Sequence, residues 1–383
     1  MFFSWNPVIA DDIYEDQFFI ETFSSPEYVN QVPVINAQAA VVMDMDSGRV
    51  LFEKNAYSRR AMASTTKIMT AILAVENGNL NDEVTISKRA ASIRGSTIGL
   101  QEGDKLTLKE LLYGLMLSSG NDAAIAIAEH IGSSVEEFAK MMTKKAYQIG
   151  ARNTCFINPH GLDTDGHYTT AYDMALIARY ALNNPIINEI VKTQKIQSSF
   201  GTLYNTNELL GVYPGADGVK TGYTGKAGRC LVASATRNGH RLISVVLGSP
   251  TRGARAQSSK DILDYAFSTY KYYTILEEGT CIKKLPVKRG ITEMVEVKTI
   301  ETITLPLKEE EYKSLQKKIY MPDELDAPVI AGTDAGFIQF VLNGEVIVQS
   351  NLKICQDVRR KVFTDYLGDV IKEWCRIMRW KAQ

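Results

Sequence analysis

The sequence contains no run of about 18 or more apolar residues, which excludes an ordinary transmembrane helix. Neither sign of charge dominates: 43 Lys and Arg stand against 44 Asp and Glu, a formal net charge of -1. That balance gives no electrostatic reason to expect nucleic acid as a partner. The five cysteines, at 155, 230, 281, 355 and 375, are odd in number, scattered and without a CxxC pair. They indicate neither a disulfide framework nor a zinc site. Histidine is scarce, with four residues and no HExxH, so metal-assisted hydrolysis is not indicated and no metal or organic cofactor is expected.

What is present is ordinary for a globular chain, 45% hydrophobic and 23% charged, which argues against global disorder. At 383 residues the chain is too long for one compact core, so two or more domains are expected. Residues 1–10, MFFSWNPVIA, are apolar and end in fairly small residues before Asp11-Asp12, as the tail of an export signal without its basic start would. Residues 11–35 read as a leader. Ala39–Met45 and Arg49–Glu53 flank Asp46-Ser47-Gly48 as a hairpin. Residues 64–77 are apolar on most faces and stop at Gly78, as a buried helix would.

Helical patterns follow at 107–117, 121–131, 135–149 and 170–183, then strands at 218–222, 229–236 and 242–248 around an Asn238-Gly239 turn, then a helix at 256–274. Strands, helices, strands and a closing helix predict one α+β domain over 36–274. From 279 to 354, short alternating segments and turn clusters such as Asn343-Gly344 predict a small β-rich domain. From 356 to 383 the chain ends in an amphipathic helix whose stripe includes Phe363, Tyr366, Leu367, Val370, Ile371, Trp374, Ile377 and Met378 among basic neighbours. Such a stripe suits either an anionic membrane surface or docking on its own domain.

Ser64-Thr65-Thr66-Lys67 places a hydroxyl and an amine on one face of a helix. A serine needs a nearby base to become a nucleophile, and a desolvated lysine can serve. At a helix start, outward N–H groups can also hold a developing oxyanion. SxxK alone is weak, since it recurs at Ser268…Lys271, Ser314…Lys317 and Ser350…Lys353. What lifts Ser64 is its company: Ser119-Gly120-Asn121, where a helix would begin with Asn121 or Asp122 as cap, and Lys220-Thr221-Gly222 within a strand signal.

SxxK, SxN and KTG in this order resemble the serine D-alanyl-D-alanine carboxypeptidases, the low-molecular-mass penicillin-binding proteins of the peptidase S11 type. The likeness covers 36–383 and takes in His160-Gly161-Leu162-Asp163, Ala171-Tyr172-Asp173, the small β domain and the terminal helix. It implies an α+β fold of the serine β-lactamase/DD-peptidase kind, with an antiparallel sheet flanked by helices and a helical lobe. It implies that Ser64 attacks the carbonyl between two D-alanines, that Lys67 accepts its proton and that Ser119 relays it to the leaving D-alanine. By the same likeness Asn121 holds the substrate's peptide chain, Lys220 keeps the charge balance and Thr221 bonds the terminal carboxylate. Gly222 leaves room beside the strand edge, and the N–H groups of Ser64 and Tyr223 form the oxyanion hole, with Tyr223 standing where some relatives carry histidine. Arg255 matches an arginine that helps bind the carboxylate; otherwise it is a solvated surface residue. His160 reads as structural rather than as a general base.

The partners implied are peptidoglycan stem peptides, β-lactams as covalent inhibitors, and the outer face of the cytoplasmic membrane through the terminal helix. A β-lactamase shares the three motifs, but none of Glu129, Glu136, Glu137, Glu189 and Glu208 sits in the ExxLN pattern of a class A deacylating loop. A transpeptidase differs only in accepting an amine in place of water. A non-catalytic wall-binding protein would normally have lost a catalytic residue, and none is missing.

Overall fold

Runs of small and β-branched apolar residues build a five-stranded antiparallel sheet. Strands β1 (Ala39–Asp44) and β2 (Val50–Lys54) form the expected hairpin. Helix α1 (Lys67–Asn77) follows a 3-10 turn at Ala63–Thr66, then come α2 (Leu108–Met116), α3 (Asn121–Gly132), α4 (Val135–Ile149), α5 (Ala171–Leu182) and α6 (Pro185–Lys192). Strands β3 (Ala216–Thr224), β4 (Gly228–Arg237) and β5 (His240–Ser249) return to the sheet, and α7 (Arg252–Thr269) closes this part. The sheet order is β2-β1-β5-β4-β3, so β3 lies at an edge. This computed structural model describes residues 31–380, with side chains to 378; the expected signal remnant at 1–10 and residues 11–30 of the expected leader lie outside the described residues.

Strands β1, β4 and β5 are buried almost throughout, as strands covered on both faces must be. Helix α5 packs on β1 and β5, and α7 packs on β4 and β5. Helix α1 lies at the centre of the helical part, packed by α2, α3, α4 and α5 and buried from Lys67 to Ala74. That explains a sequence apolar on most faces rather than along one stripe. Helix α6 has no counterpart in the sequence reading, although Asn184 as cap and Pro185 at the first position are the expected start signals.

The chain divides between Thr269 and Tyr270, not at 274. The helix expected at 256–274 runs from Arg252 to Thr269, because Lys271–Leu276 (KYYTIL) is a strand paired with Ile303–Leu307. Aromatic and β-branched residues favour that pairing over a further helical turn. Within the second unit a six-stranded sheet runs in the order Gln316–Tyr320, Asp334–Leu342, Glu345–Ile354, Met294–Thr299, Cys281–Lys288 and Leu325–Asp326. Its core gathers Leu285, Val295, Val297, Leu305, Ile338 and Leu352. The terminal helix, Phe363–Trp380, keeps its apolar stripe exposed, with Phe363 at 79% and Trp374 at 66%. Docking of that stripe on its own domain is therefore not what the chain does.

Candidate active site

Ser64 stands in the 3-10 turn that leads into α1, not in the α-helix itself, and Lys67 is the first α-helical residue. The turn keeps the two side chains together: Lys67 Nζ lies 3.1 Å from Ser64 Oγ. The same nitrogen donates to Asn121 Oδ1 at 2.7 Å and to the carbonyl of His160 at 2.8 Å. Two of the three partners can only accept, while the hydroxyl can also donate. A neutral amine, with two N–H groups used in this way and one lone pair, has that lone pair left for the serine.

The surroundings favour the neutral form. Lys67 is fully buried, and burial holds its ammonium well below the usual lysine range. The positive charge of Lys220 pushes in the same direction, and Asp122 pushes back more weakly. Lys220 is itself buried in β3. Asp122 is also buried, and burial raises its carboxyl pKa although four backbone N–H groups, from Ile98, Gly99, Leu100 and Ala123, donate to it. Neither Asn121 nor Asp122 caps α3: Gly120 holds that position and Asn121 is the first helical residue. Asn121 is thereby freed to spend its amide on Lys67 and on the carbonyl of Arg94, to which Nδ2 donates at 2.8 Å.

Two left-handed residues bracket the site, Ala63 at φ 47° and Ser119 at φ 63°. Non-glycine residues held there store roughly 1 kcal/mol or more and persist only when neighbours hold them. Ser119 is buried at the turn from α2 to α3. Ala63 is clamped on one side by Gly161, where a Cβ would fall 1.9 Å from the Ala63 oxygen. On the other side lies Gly222 of the edge strand, where a Cβ would fall 2.8 Å from Ser64 N and 3.0 Å from Ala63 Cβ. Glycine at 222 is thus required by the approach of β3 to the backbone of Ser64.

The remaining sequence candidates are placed less directly. Thr221 Oγ1 lies 2.6 Å from Thr206 Oγ1, a partner the sequence did not reveal. Tyr223 is 40% exposed, with the Arg229 guanidinium 4.0 Å from its ring centroid. Arg255 is not a solvated surface arginine: it is fully buried, bonded to Glu208 through Nε and Nη2 at 2.8–3.0 Å, and close to the carbonyl of Cys230. Its guanidinium is brought to Glu208 rather than to Ser64, at the level of Gly222, which pairs with Cys230.

The His160 side chain behaves as the structural reading expects. Burial, helped by the Lys67 charge, lowers its pKa to about 3, and Nδ1 accepts from Leu162 N. The useful atom is its backbone oxygen. Asp163 of the same loop accepts from Thr224 Oγ1 at 2.7 Å and from Lys226 N, tying the end of β3 to the loop that carries His160.

A serine in the turn before α1, a buried lysine against it and a glycine-bearing edge strand are gathered at one place on the fold of the DD-peptidases. Residues 27–251 match the D-alanyl-D-alanine carboxypeptidase family, peptidase S11, and residues 270–360 match the C-terminal domain of penicillin-binding protein 5. The chain belongs to this family of penicillin-binding D-alanyl-D-alanine carboxypeptidases. It is 39% identical to the D-alanyl-D-alanine carboxypeptidase DacF of Bacillus subtilis, over 89% of this chain and 90% of that one. Penicillin-binding protein 5 of Haemophilus influenzae superposes with a TM-score of 0.76 at 32% identity, covering 86% of this chain and 99% of that one. The Streptomyces K15 DD-transpeptidase, as its S216A mutant, matches 62% of this chain and all of its own at 38% identity, with a TM-score of 0.60.

Proposed function

We propose that the protein is an exported serine carboxypeptidase that removes the terminal D-alanine from peptidoglycan stem peptides at the outer face of the cytoplasmic membrane. The observation that carries the chemistry is the environment of Lys67: buried, beside a second cation, with two carbonyl acceptors and one hydroxyl as partners. Ser64 Oγ attacks the carbonyl between the two D-alanines while its proton passes to the Lys67 lone pair. The N–H groups of Ser64 and Tyr223 hold the oxyanion, Asn121 holds the peptide, and Ser119 hands a proton to the departing amine. Thr221, oriented by Thr206, binds the terminal carboxylate, with Lys220 and the Arg255–Glu208 pair setting the charge around it. Water then cleaves the ester on Ser64, Lys67 taking the proton from water and passing it to the departing Ser64 Oγ.

A β-lactam would acylate the same serine, and without a positioned deacylating glutamate the penicilloyl ester would persist. D-Alanine release from a short peptide ending in Lys-D-Ala-D-Ala, compared between the wild type and Ser64→Ala, tests the reading. Release from the wild type alone is expected. Release that survives Ser64→Ala would place the nucleophile elsewhere, and product appearing only when an amine acceptor is added would make the enzyme a transpeptidase.

The exposed stripe of the terminal helix supports the membrane placement. No helix among the described residues is long and apolar enough to cross a membrane; on this reading the terminal helix lies along the surface. Removing residues 356–383 should leave peptide activity unchanged and release the protein from anionic vesicles; vesicle binding that survives the truncation would rule the anchor out.

A further inference from the structure

His167 takes no part in the chemistry above, yet its ring reaches the turn that carries the nucleophile. It is 7% exposed and its Nε2 lies 2.8 Å from Thr66 Oγ1. Thr66 Oγ1 in turn donates to the Ala63 carbonyl at 2.8 Å.

Proton counting fixes the direction of this chain. The Ala63 oxygen can only accept, so the single hydroxyl proton of Thr66 is committed to it. The contact to His167 must then be donated by the ring, which places a proton on Nε2. Independently, Ile157 N lies 3.0 Å from Nδ1, and a backbone N–H can only donate, so Nδ1 carries a lone pair. The two constraints select the same neutral tautomer, and burial, which lowers the ring's pKa to about 4, keeps it neutral. Phe156 meets the ring edge-on at 5.8 Å and limits its rotation.

The atom at the end of the chain matters because Ala63 is left-handed at φ 47° and has no polar side chain to steady that conformation. Its carbonyl is held by Thr66 and covered by Gly161. The next residue is Ser64, whose hydroxyl must face Lys67 and whose N–H must face the developing oxyanion. The loop from 157 to 167 therefore delivers two things at once: the His160 carbonyl to the base, and the His167 ring to the nucleophile's turn.

We infer that His167 is a positioning residue for Ser64, holding the Ala63–Ser64 turn in its reactive form by donating through Thr66 to the Ala63 carbonyl. The inference rests on Ser64 being the acylated residue, which is checked separately by penicillin labelling of the wild type and its loss in Ser64→Ala.

The experiment measures acylation rates with a fluorescent penicillin, and kcat and KM on the D-Ala-D-Ala peptide, for Thr66→Val, His167→Leu, His167→Gln and the Thr66→Val/His167→Leu double variant. Thr66→Val keeps the shape of the side chain and removes only the relay hydroxyl. It should lower acylation and kcat about 10- to 100-fold with KM within about twofold, the pattern of lost orientation rather than lost binding. His167→Leu should match it, and the double variant should be no worse than either single one, because the two groups act in series. His167→Gln, whose amide can still donate near the Nε2 position, should recover most of the rate.

Acylation by Thr66→Val within about twofold of wild type would overturn the inference, as would losses that multiply in the double variant. Should His167→Leu fail to fold, Thr66→Val and His167→Gln decide the matter by themselves. Wild type that is not labelled at Ser64 would overturn the function and not the relay.

Discussion

The chain uses its cations under two opposite conditions. In the first unit Lys67, Lys220 and Arg255 are at most 1% exposed. In the second, the basic residues around the terminal helix stand in water, with the Arg359 side chain 57% and that of Arg376 80% exposed. Removal from water favours the neutral form of an amine, and a second buried cation adds to the effect, so Lys67 is held toward its neutral form. Arg255 is instead paired with Glu208. The pairs of the exposed cations, Arg359–Asp365, Lys361–Asp369 and Arg376–Glu373, lie at the surface, where water and salt screen the attraction. Basic side chains are thus dry in the first unit and wet at the terminal helix.

The comparison breaks most decisively at Lys67. Lys67→Arg keeps a cation in the site but cannot present a lone pair, so acylation by a fluorescent penicillin should fall on the order of 10³-fold. A loss below about tenfold would mean that Lys67 is not the base. Gly222→Ala comes next. Its methyl would press on Ser64 N and Ala63 Cβ, both backbone-fixed positions, and a displaced nucleophile should cost about 10²-fold in kcat. A full-rate Gly222→Ala enzyme would show that β3 yields at no cost.

The two units should also part under mild acid. All four histidines, at 130, 160, 167 and 240, belong to the first unit. Burial lowers His160 to about 3 and His167 to about 4. For a base whose folded pKa lies below its unfolded value near 6.5, the unfolded state binds more protons in between. The associated stability is therefore complete above about pH 6.5 and is lost as pH falls toward the folded value. Between about pH 7 and pH 4.5, His167 alone should remove roughly 2–3 kcal/mol from the first unit. Thermal unfolding followed by penicillin-binding competence should track this loss while the second unit keeps its transition. Parallel loss in both units would remove the buried histidines as the cause.

What was legible in the sequence divides along the same physical line. Elements held by local pattern were readable: the β1–β2 hairpin, the helices α2 to α5, and the strands on either side of Asn238-Gly239. Ser64 and Lys67 were readable because a helical turn fixes their contact from three residues of spacing. Distant partners outside the three motifs were not readable, since no local pattern marks them. Glu208 meets Arg255 across 47 residues and His167 meets Thr66 across 101, with no periodicity to announce either. Local rules also misled where tertiary contacts outweighed them. Asn121 or Asp122 looked like a cap, whereas Gly120 holds that position and Asn121, already marked by its motif, bonds Lys67; the residues after Thr269 looked helical and pair as a strand.

The cations of the terminal helix can be altered one at a time. Lys372 lies on the exposed terminal helix, two residues before Trp374. If the basic residues act by attraction to anionic lipid while the apolar stripe inserts, each contributes about 1 kcal/mol near the surface at low salt. Lys372→Gln should then weaken binding to vesicles containing anionic lipid about fivefold at low salt, and the difference should vanish near 1 M salt as the Debye length falls to about 3 Å. Trp374→Ser should weaken binding at every salt concentration, because its contribution is burial of apolar surface. Neither change should alter D-alanine release from a soluble peptide. A Lys372→Gln effect that persists at high salt would show that this lysine makes a specific contact and that the helix is not simply a charged, apolar-faced surface anchor.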